Sequence, residues 1–356
     1  MFATMVVYLV AMIAMGAWLS KRNKTVGDFY IGGRKLGPFV TAMSAEASDM
    51  SSYLLMGIPG LAYLSGIADA GWTIIGLAAG TYLNWLITAK RIRQYTEATG
   101  SITVPAFFSD RYGDGKNILT FIAAIIIVIF FVPYTASGFA GCGKLFASLF
   151  NTNYHTAMIG SAIVIIAYTM LGGFLAASTT DFIQSIIMSA ALIIILAFGT
   201  MKAGGANVVI DNAKGLAGYF SMTQTHDAVT GTAQPYGFVH IISTLAWGLG
   251  YFGMPHILLR FMAIEDEKKL SLSRRVATVW VLISMAVSVC IGVVGLAMSG
   301  EGFIPALSGS DSETVIIKIS DLLASHGAIF AVIAGVVLSG ILASTMSTAD
   351  SQLLCA

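Results

Sequence analysis

Long apolar runs separated by short polar stretches dominate this chain. An α-helix needs about 20 apolar residues to cross the hydrocarbon core of a bilayer. Windows of that length predict an all-α, multi-pass membrane protein with one span per window. The windows cover residues 2–20, 38–64, 67–89, 117–147, 155–173, 180–201, 236–262, 274–299 and 326–354.

The basic residues between these windows set the orientation. If the N-terminus lies outside, the inner connections collect 15 of the 19 Lys and Arg residues, and the outer connections hold the remaining 4. Cytoplasmic loops of membrane proteins carry such an excess of basic residues. The pattern therefore predicts a plasma (inner) membrane protein with its N-terminus outside.

Three connections are long enough to carry structure of their own. The inner segment 93–116 contains Pro105 and two following phenylalanines, which favours a short helix at the membrane interface. The outer segments 203–235 and 300–325 are polar, and we expect solvated loops with short helical pieces there.

Composition narrows the class of protein. The chain is 56% hydrophobic and 10% charged, whereas a soluble domain has roughly a quarter charged residues. Its net charge of +1 is spread through short loops, which does not suit nucleic-acid binding. The sequence has no GxSxG, HExxH, P-loop or dinucleotide motif, and its five histidines lack metal-ligand spacing. We therefore predict that the chain is not an enzyme.

The second window carries a polar cluster near its middle. Residues 44–52 read SAEASDMSS and include Glu46 and Asp49. A carboxylate at bilayer depth costs roughly 3 kcal/mol or more, so such groups face a protein interior or a water-filled cavity. This cluster predicts an ion or substrate path.

The seventh window is interrupted in a similar place. Residues 247–256 read WGLGYFGMPH, and three glycines with Pro255 break a helix. Backbone N–H and C=O groups that lose their helical hydrogen bonds at membrane depth are tolerated only where protein or a water-filled cavity supplies new partners. Two interrupted windows, five apart, predict an inverted-repeat transporter whose site lies where the breaks meet. The alternative interpretation is that these residues only kink the helices.

The ninth window adds hydroxyl groups on one helical face. Ser344, Ser347, Thr348 and Ser351 recur at helical spacing, with Asp350 beside them. Hydroxyls and carbonyls suit an alkali cation, so the stripe predicts an ion site. The alternative is that the hydroxyls bond to their own helix or lie at tight helix contacts.

Two further residues have an open role. Asp181 follows Ser178 and two threonines at the start of the sixth window, and we expect it near a helix N-terminus, stabilised by the macrodipole. A direct ion role is the alternative. Tyr134 lies beside Pro133 in the fourth window and is either a core residue or part of a pocket wall.

Several segments carry long motifs of a known family. They are residues 30–39 (YIGGRKLGPF), 47–51 (ASDMS), 55–60 (LMGIPG), 134–138 (YTASG), 171–174 (LGGF), 247–261 (WGLGYFGMPHILLRF) and 346–348 (MST). Together they resemble the sodium/solute symporter family, most closely its bacterial sodium/proline symporters.

The resemblance implies the LeuT-like fold with one leading helix, residues 2–20. The first five-helix repeat would be residues 38–201, and residues 236–354 would be the first three helices of the second repeat. The chain ends at Ala356, so we expect either a fragment of a longer protein or a shortened one.

The implied function is sodium-coupled symport of proline into the cell by alternating access. The implied partners are sodium, proline and the lipid bilayer. Two alternatives stay open: a sodium-coupled symporter of another small organic solute, and a non-transporting membrane module that binds or senses a solute.

The resemblance also implies which residues form the sites. Sodium ligands would be the carbonyls of Ala47, Met50 and Ser344 and the hydroxyls of Ser347 and Thr348, supported by Asp49. Proline would lie against Ser51, Tyr53, Tyr134, Trp247, Tyr251 and Pro255. A second sodium ion would use Asp181, Asp350 and Ser351 with Ser347, and Arg34 would lie at the inner gate. Glu46 departs from the family, whose proline symporters carry glycine there.

Overall fold

The computed structural model describes residues 1–21, 24–150 and 152–355, so Arg22, one of the inner basic residues, and Ala356 lie outside the described part. All the apolar windows are helical. The helices are α1 Phe2–Ser20, α2 Val26–Ile31, α3 Pro38–Met50, α4 Ile58–Ser65, α5 Ile67–Asn84, α6 Lys90–Thr99, α7 Val104–Tyr112, α8 Ile118–Phe150, α9 Tyr154–Lys202, α10 Ala206–Lys214, α11 Phe238–Leu245, α12 Pro255–Ala263, α13 Leu270–Gly300, α14 Val315–Ala324 and α15 Ala328–Cys355. The strands are β1 Gln224–Asp227 and β2 Thr232–Pro235.

The two predicted interruptions are present. In the second window α3 ends at Met50, and a π-helical turn, Tyr53–Gly57, leads into α4. In the seventh window a 3-10 segment, Ala246–Gly253, separates α11 from α12, and the chain bends there by 47°. Both breaks lie where serines, glycines and proline interrupt the apolar pattern.

Within the described residues, five helices are long and apolar enough to cross a membrane, and the bent α11–α12 segment would be a sixth. The three other predicted spans form shorter or interrupted helices. Tyr53–Ser65 and Tyr154–Ala167 are short apolar helices, and α5 continues through a π-turn, Trp85–Ala89, into the charged helix α6.

The fifth and sixth windows lie on one element. Helix α9 runs from Tyr154 to Lys202 with a single break at Gly173, whose φ is +64°. Glycine adopts this left-handed φ without the Cβ clash that other residues meet. The expected helix start near residue 178 is therefore wrong. Asp181 lies two turns past the break, too far for the macrodipole to act.

One outer connection is more ordered than its polarity suggests. In residues 300–325, α14 buries Val315, Ile316, Ile317 and Ile319 completely, so the expected solvated loop is wrong there. Burial of these apolar side chains in the core beside α15 stabilises the segment more than the flanking acids favour exposure to solvent. Residues 203–235 hold the short helix α10, as expected, and also the β1–β2 hairpin.

Capping residues start the short helices α2 and α7. The Thr103 side chain accepts from the Ala106 amide at the start of α7, the helix predicted within segment 93–116. Thr25 and Asp28 form a capping box at α2. Hydrogen bonds from the Thr25 hydroxyl and two backbone amides hold the pKa of Asp28 below its usual range.

The centre of the protein is formed by two helices that each carry a serine-rich stretch. Every residue of α3 from Thr41 to Met50 is buried, and α15 is buried from Val337 to Gln352. The two helices contact each other and both pack against α9. The serine-rich stretches of α3 and α15 thus meet in the interior.

Candidate functional site

The break after α3 begins at Ser51. Its φ of +50° is unusual for a residue with a Cβ, and such conformations cost about 1–3 kcal/mol. The last turn of a helix also leaves its carbonyls without intrahelical partners. The end of α3 therefore presents backbone oxygens in the buried centre.

Hydroxyls of α15 contact these oxygens. Ser347 Oγ donates to Ala47 O at 2.8 Å and lies 3.3 Å from Ser344 O. Thr348 Oγ1 lies 3.1 Å from Ser344 O. Two carbonyls and two hydroxyls from distant parts of the chain thus form one buried cluster of oxygen atoms that can ligate a metal ion. Such oxygens replace the hydration shell of alkali cations.

Asp49 and Met50 lie beside this oxygen cluster. The Asp49 carbonyl accepts from Tyr134 Oη at 3.1 Å, and its carboxylate lies 4.0 Å from His256 Nε2. His256 is completely buried, a neighbour that sequence spacing did not indicate because the two residues are far apart in the chain. Met50, the last residue of α3, lines the adjoining cavity.

A cavity of about 890 Å³ adjoins the break. Five of the residues predicted to contact substrate line it: Ser51, Tyr53, Tyr134, Trp247 and Tyr251. The rings of Tyr53 and Trp247 are 5.5 Å apart. Pro255 does not reach this cavity. It lines a separate one of about 620 Å³, beside α7 and the end of α15.

Close backbone contact holds the 3-10 segment in place. A Cβ on Gly248 would lie 2.0 Å from the Gly76 carbonyl oxygen, and one on Gly80 would lie 2.3 Å from the Gly248 oxygen. Asn84 Nδ2 also donates to the Tyr251 carbonyl at 2.8 Å. Helix α5 thereby fixes the segment that carries Trp247 and Tyr251.

Glu46 faces α5 rather than the 890 Å³ cavity. Its Oε1 accepts from Trp85 Nε1 at 3.1 Å, and the residue is 3% exposed. The buried Tyr251 hydroxyl lies within electrostatic range of Glu46 and Asp49.

Arg260 is the largest completely buried side chain of the described part. Its Nη2 lies 2.9 Å from Asp181 Oδ2 and 2.5 Å from Ser351 Oγ, and its Nε lies 3.0 Å from Ser44 Oγ. Ser44 also donates to Asp181 at 2.7 Å. Arg260 is one of the 15 basic residues that the sequence assigns to the inner connections, and this assignment is wrong because its side chain is buried in the interior. The sequence does indicate this burial, because Arg260 lies inside the apolar window 236–262.

This guanidinium lies among the residues predicted for a second sodium ion. Ser351 contacts both Arg260 and Asp350 Oδ1, the latter at 3.1 Å. Ser347 instead bonds to Ala47. The structure thus brings Asp181, Asp350 and Ser351 together, but with a cation of the protein itself on Asp181.

Arg34 joins three segments that are distant in the chain. Its guanidinium donates to the carbonyls of Met262 at 2.7 Å, Thr96 at 2.8 Å and Ser101 at 2.8 Å. Backbone hydrogen bonds between Leu36 and the chain just after α12 run alongside. Arg34 thus ties the segment before α3 to α6, to the loop after α6 and to α12.

Known proteins share this sequence and architecture. A family model described as the Sodium:solute symporter family matches residues 29–356. The high-affinity proline transporter PutP of Bacillus subtilis is 40% identical over 344 residues, which cover 96% of this chain and 69% of that protein. The sodium/proline symporter of Escherichia coli is 41% identical over 360 residues, covering 99% and 68%.

The fold has a solved counterpart. A sodium-coupled sialic acid symporter, solved in a substrate-bound outward-open state, matches with a TM-score of 0.80 at 18% identity. The match covers 99% of this chain and 70% of that one. The all-α, LeuT-like fold predicted from the sequence is thereby confirmed, and the multi-pass membrane protein is a transporter and not an enzyme. The chain belongs to the sodium:solute symporter family.

Proposed function

We propose that this chain is a secondary active transporter that carries proline into the cell with sodium by alternating access. The observation that carries the proposal is the buried cluster of Ala47, Ser344, Ser347 and Thr348 oxygens beside a cavity with aromatic walls. The names of relatives about 40% identical to this chain support sodium and proline as the cargo.

Sodium would be held by the carbonyls of Ala47, Met50 and Ser344 and by the hydroxyls of Ser347 and Thr348. Asp49 would add a negative charge nearby without ligating the ion. A single inward charge gains about 2.3 kcal/mol from a potential of 100 mV, before any concentration term. That energy is sufficient to accumulate a small solute.

Proline would lie in the 890 Å³ cavity. Its apolar ring suits the walls formed by Tyr53, Tyr134, Trp247 and Tyr251, all of which line this space. Its carboxylate would approach Ser51 and the backbone amides where the helix restarts, since helix N-termini favour negative charge. Pro255 is not included, because it lines the other cavity.

A second sodium ion at Asp181, Asp350 and Ser351 would have to displace Arg260. The guanidinium already pairs with Asp181 at 2.9 Å in a fully buried setting. Because Arg260 already occupies this position, we propose that one sodium ion is transported per cycle.

We further propose that the N-terminus lies outside and that this conformation faces outward. The cavity extends from the break to Lys144 and Glu313, which the charge distribution assigns to the outer side. The inner side is closed by the Arg34 contacts. Inward release would require these contacts to break and the outer cavity to close.

Uptake of labelled proline into proteoliposomes tests the function. We expect uptake with an inward sodium gradient, little uptake in potassium buffer, and a collapse in Asp49→Ala. Equal uptake in sodium and potassium would contradict the proposal. Competition by unlabelled organic solutes identifies another cargo, and ligand-induced thermal stabilisation without any uptake would favour a binding module.

A further inference from the structure

A groove of about 470 Å³ lies between α9 and α13, away from the proposed transport path. Both elements contain spans that are long and apolar enough to cross a membrane. Ile193, Val279 and Ile283 line the groove, and each of these side chains is more than half exposed. Met43 of α3 lines it as well. The groove therefore opens toward the hydrocarbon of the bilayer.

The length of the groove matches one leaflet of a bilayer. Arg275 and Val287 both line it, the first near the start of α13 and the second near its middle. At a rise of 1.5 Å per residue, the two residues are about 18 Å apart along the helix axis. The hydrocarbon core of a bilayer is about 30 Å thick, so one leaflet contributes about 15 Å. An acyl chain that begins beside Arg275 thus has an apolar wall through the depth of its leaflet.

Arg275 supplies a positive charge at the end of the groove nearest the start of α13. The residue is exposed, and none of the ion pairs among the described residues involves it. Residues 265–275 hold four basic and three acidic residues, and Lys269 and Glu265 are joined at 2.6 Å. A guanidinium can bind a phosphate through two parallel hydrogen bonds. This end of the groove thus suits an anionic phosphate.

The polar side chains deeper in the groove are already hydrogen-bonded. Trp280 Nε1 donates to Ser189 Oγ at 2.9 Å, and the Ser189 hydroxyl donates to Ser185 O at 2.7 Å. Ser284 Oγ donates to Val281 O at 3.2 Å. A polar solute bound there would lose its water partners without gaining new ones, which is unfavourable. The deeper part of the groove therefore suits an apolar chain.

We propose that this groove binds an anionic phospholipid, with the lipid phosphate on Arg275 and one acyl chain along α13 toward Val287. The charge at one end and the apolar walls along one leaflet's depth together match this class of lipid. The proposed orientation makes the leaflet the inner one. Because α3, α9 and α13 all line the groove, the bound lipid contacts three helices that pack on one another and stabilises their packing.

Thermal unfolding of the purified protein in detergent tests this site, and the assay needs no transport. Dioleoyl phosphatidylglycerol should raise the unfolding temperature more than dioleoyl phosphatidylcholine, which carries no net charge. In Arg275→Gln, we expect the phosphatidylglycerol concentration for half of the maximal shift to rise about fivefold, the effect of one basic residue near an anionic surface. Val279→Trp places a bulky ring at an exposed position of the groove, and we expect it to abolish most of the shift by excluding the acyl chain.

The matched control is Arg91→Gln, which removes an exposed basic residue that does not line the groove. We expect a response to phosphatidylglycerol close to that of the wild type. Equal weakening in Arg275→Gln and Arg91→Gln would indicate a general attraction to the anionic lipid and would overturn the site.

Two other occupants are separated by further measurements. Glycerol phosphate has the phosphate without the chains, so it should give no stabilisation at the same concentration. Stabilisation equal to that by phosphatidylglycerol, or an unchanged response in Val279→Trp, would overturn the lipid assignment. Sedimentation of the wild type and Val279→Trp tests for a second copy of the chain. A dimer that dissociates in Val279→Trp would assign the groove to that copy and overturn the proposal.

Discussion

At the scale of single residues, a substitution at Thr348 tests whether its hydroxyl is a sodium ligand or only a hydrogen-bond donor to its own helix. Its Oγ1 lies 3.1 Å from Ser344 O, an ordinary bond within the helix. Thr348→Val keeps the shape but removes one ligand oxygen, and we expect the sodium concentration for half-maximal uptake to rise about tenfold, or about 1.4 kcal/mol. Sodium titration of proline uptake measures it.

Thr345→Val is the matched control. Its hydroxyl also bonds within α15, to Ile341 O at 3.1 Å, but it lies outside the oxygen cluster. We expect little change in its sodium dependence. Equal shifts in the two variants would indicate a general disturbance of α15 and count against Thr348 as a ligand.

Arg260 gives a prediction about stability. Arg260→Met leaves the Asp181 carboxylate buried without its cation, and breaking a buried pair in this way costs about 3–5 kcal/mol. We expect a marked drop in the thermal unfolding temperature in detergent. Adding Asp181→Asn should recover part of it, because no unpaired charge remains. A double variant no more stable than Arg260→Met would show that lost packing, such as the stacking of Arg260 on Phe174, dominates.

These residues also show where sequence reasoning ends. The stripe of Ser344, Ser347 and Thr348 was readable because helical spacing places the three side chains on one face. The contacts of Asp49 with His256 and of Asp181 with Arg260 join distant positions, and no local spacing encodes them. Pro255 was predicted to contact the substrate because its neighbours in the motif do, but its ring lines the other cavity.

At the scale of elements, the 3-10 segment Ala246–Gly253 depends on contact with α5. Gly248→Ala would place a methyl group 2.0 Å from the Gly76 oxygen, so the segment and Trp247 must shift. We expect the apparent affinity for proline to fall at least tenfold, because the aromatic wall moves. Uptake as a function of proline concentration gives the affinity.

The control for this element is Gly253→Ala. A Cβ on Gly253 meets nothing within 4 Å, and the residue ends the same segment. Near-normal affinity is expected there. A similar loss in both variants would mean that the segment tolerates no substitution at all, irrespective of the α5 contact.

The helices could be predicted from the sequence wherever the hydrophobic pattern is strong. The apolar windows and both breaks were predicted, since length and Gly or Pro content report them directly. Two features were not predicted: the burial of α14, whose isoleucines lie among acidic residues, and the position of the break in α9 at Gly173. Both depend on packing against distant helices, which local composition does not reveal.

At the scale of the whole molecule, we expect the Arg34 contacts to set the balance between the proposed outward-facing and inward-facing states. The guanidinium bonds to carbonyls of three segments, Thr96, Ser101 and Met262, in the conformation whose outer cavity is open. A hydrogen bond to a charged group contributes about 1.5–3 kcal/mol. Arg34→Ala should therefore lower the ratio of outward-facing to inward-facing molecules at least tenfold, because the proposed inward release requires these bonds to break.

A cysteine in the outer cavity reports this population. Ser137 is exposed and lines the cavity, so Ser137→Cys should react with a membrane-impermeant thiol reagent added from outside. We expect Arg34→Ala to slow this reaction. Arg91→Ala is the control, because the Arg91 hydrogen bond among the described contacts is local, to Ile87 O at 3.1 Å in the π-turn just before α6. An equal labelling rate in Arg34→Ala and Arg91→Ala would show that the Arg34 contacts do not hold the outward-facing state.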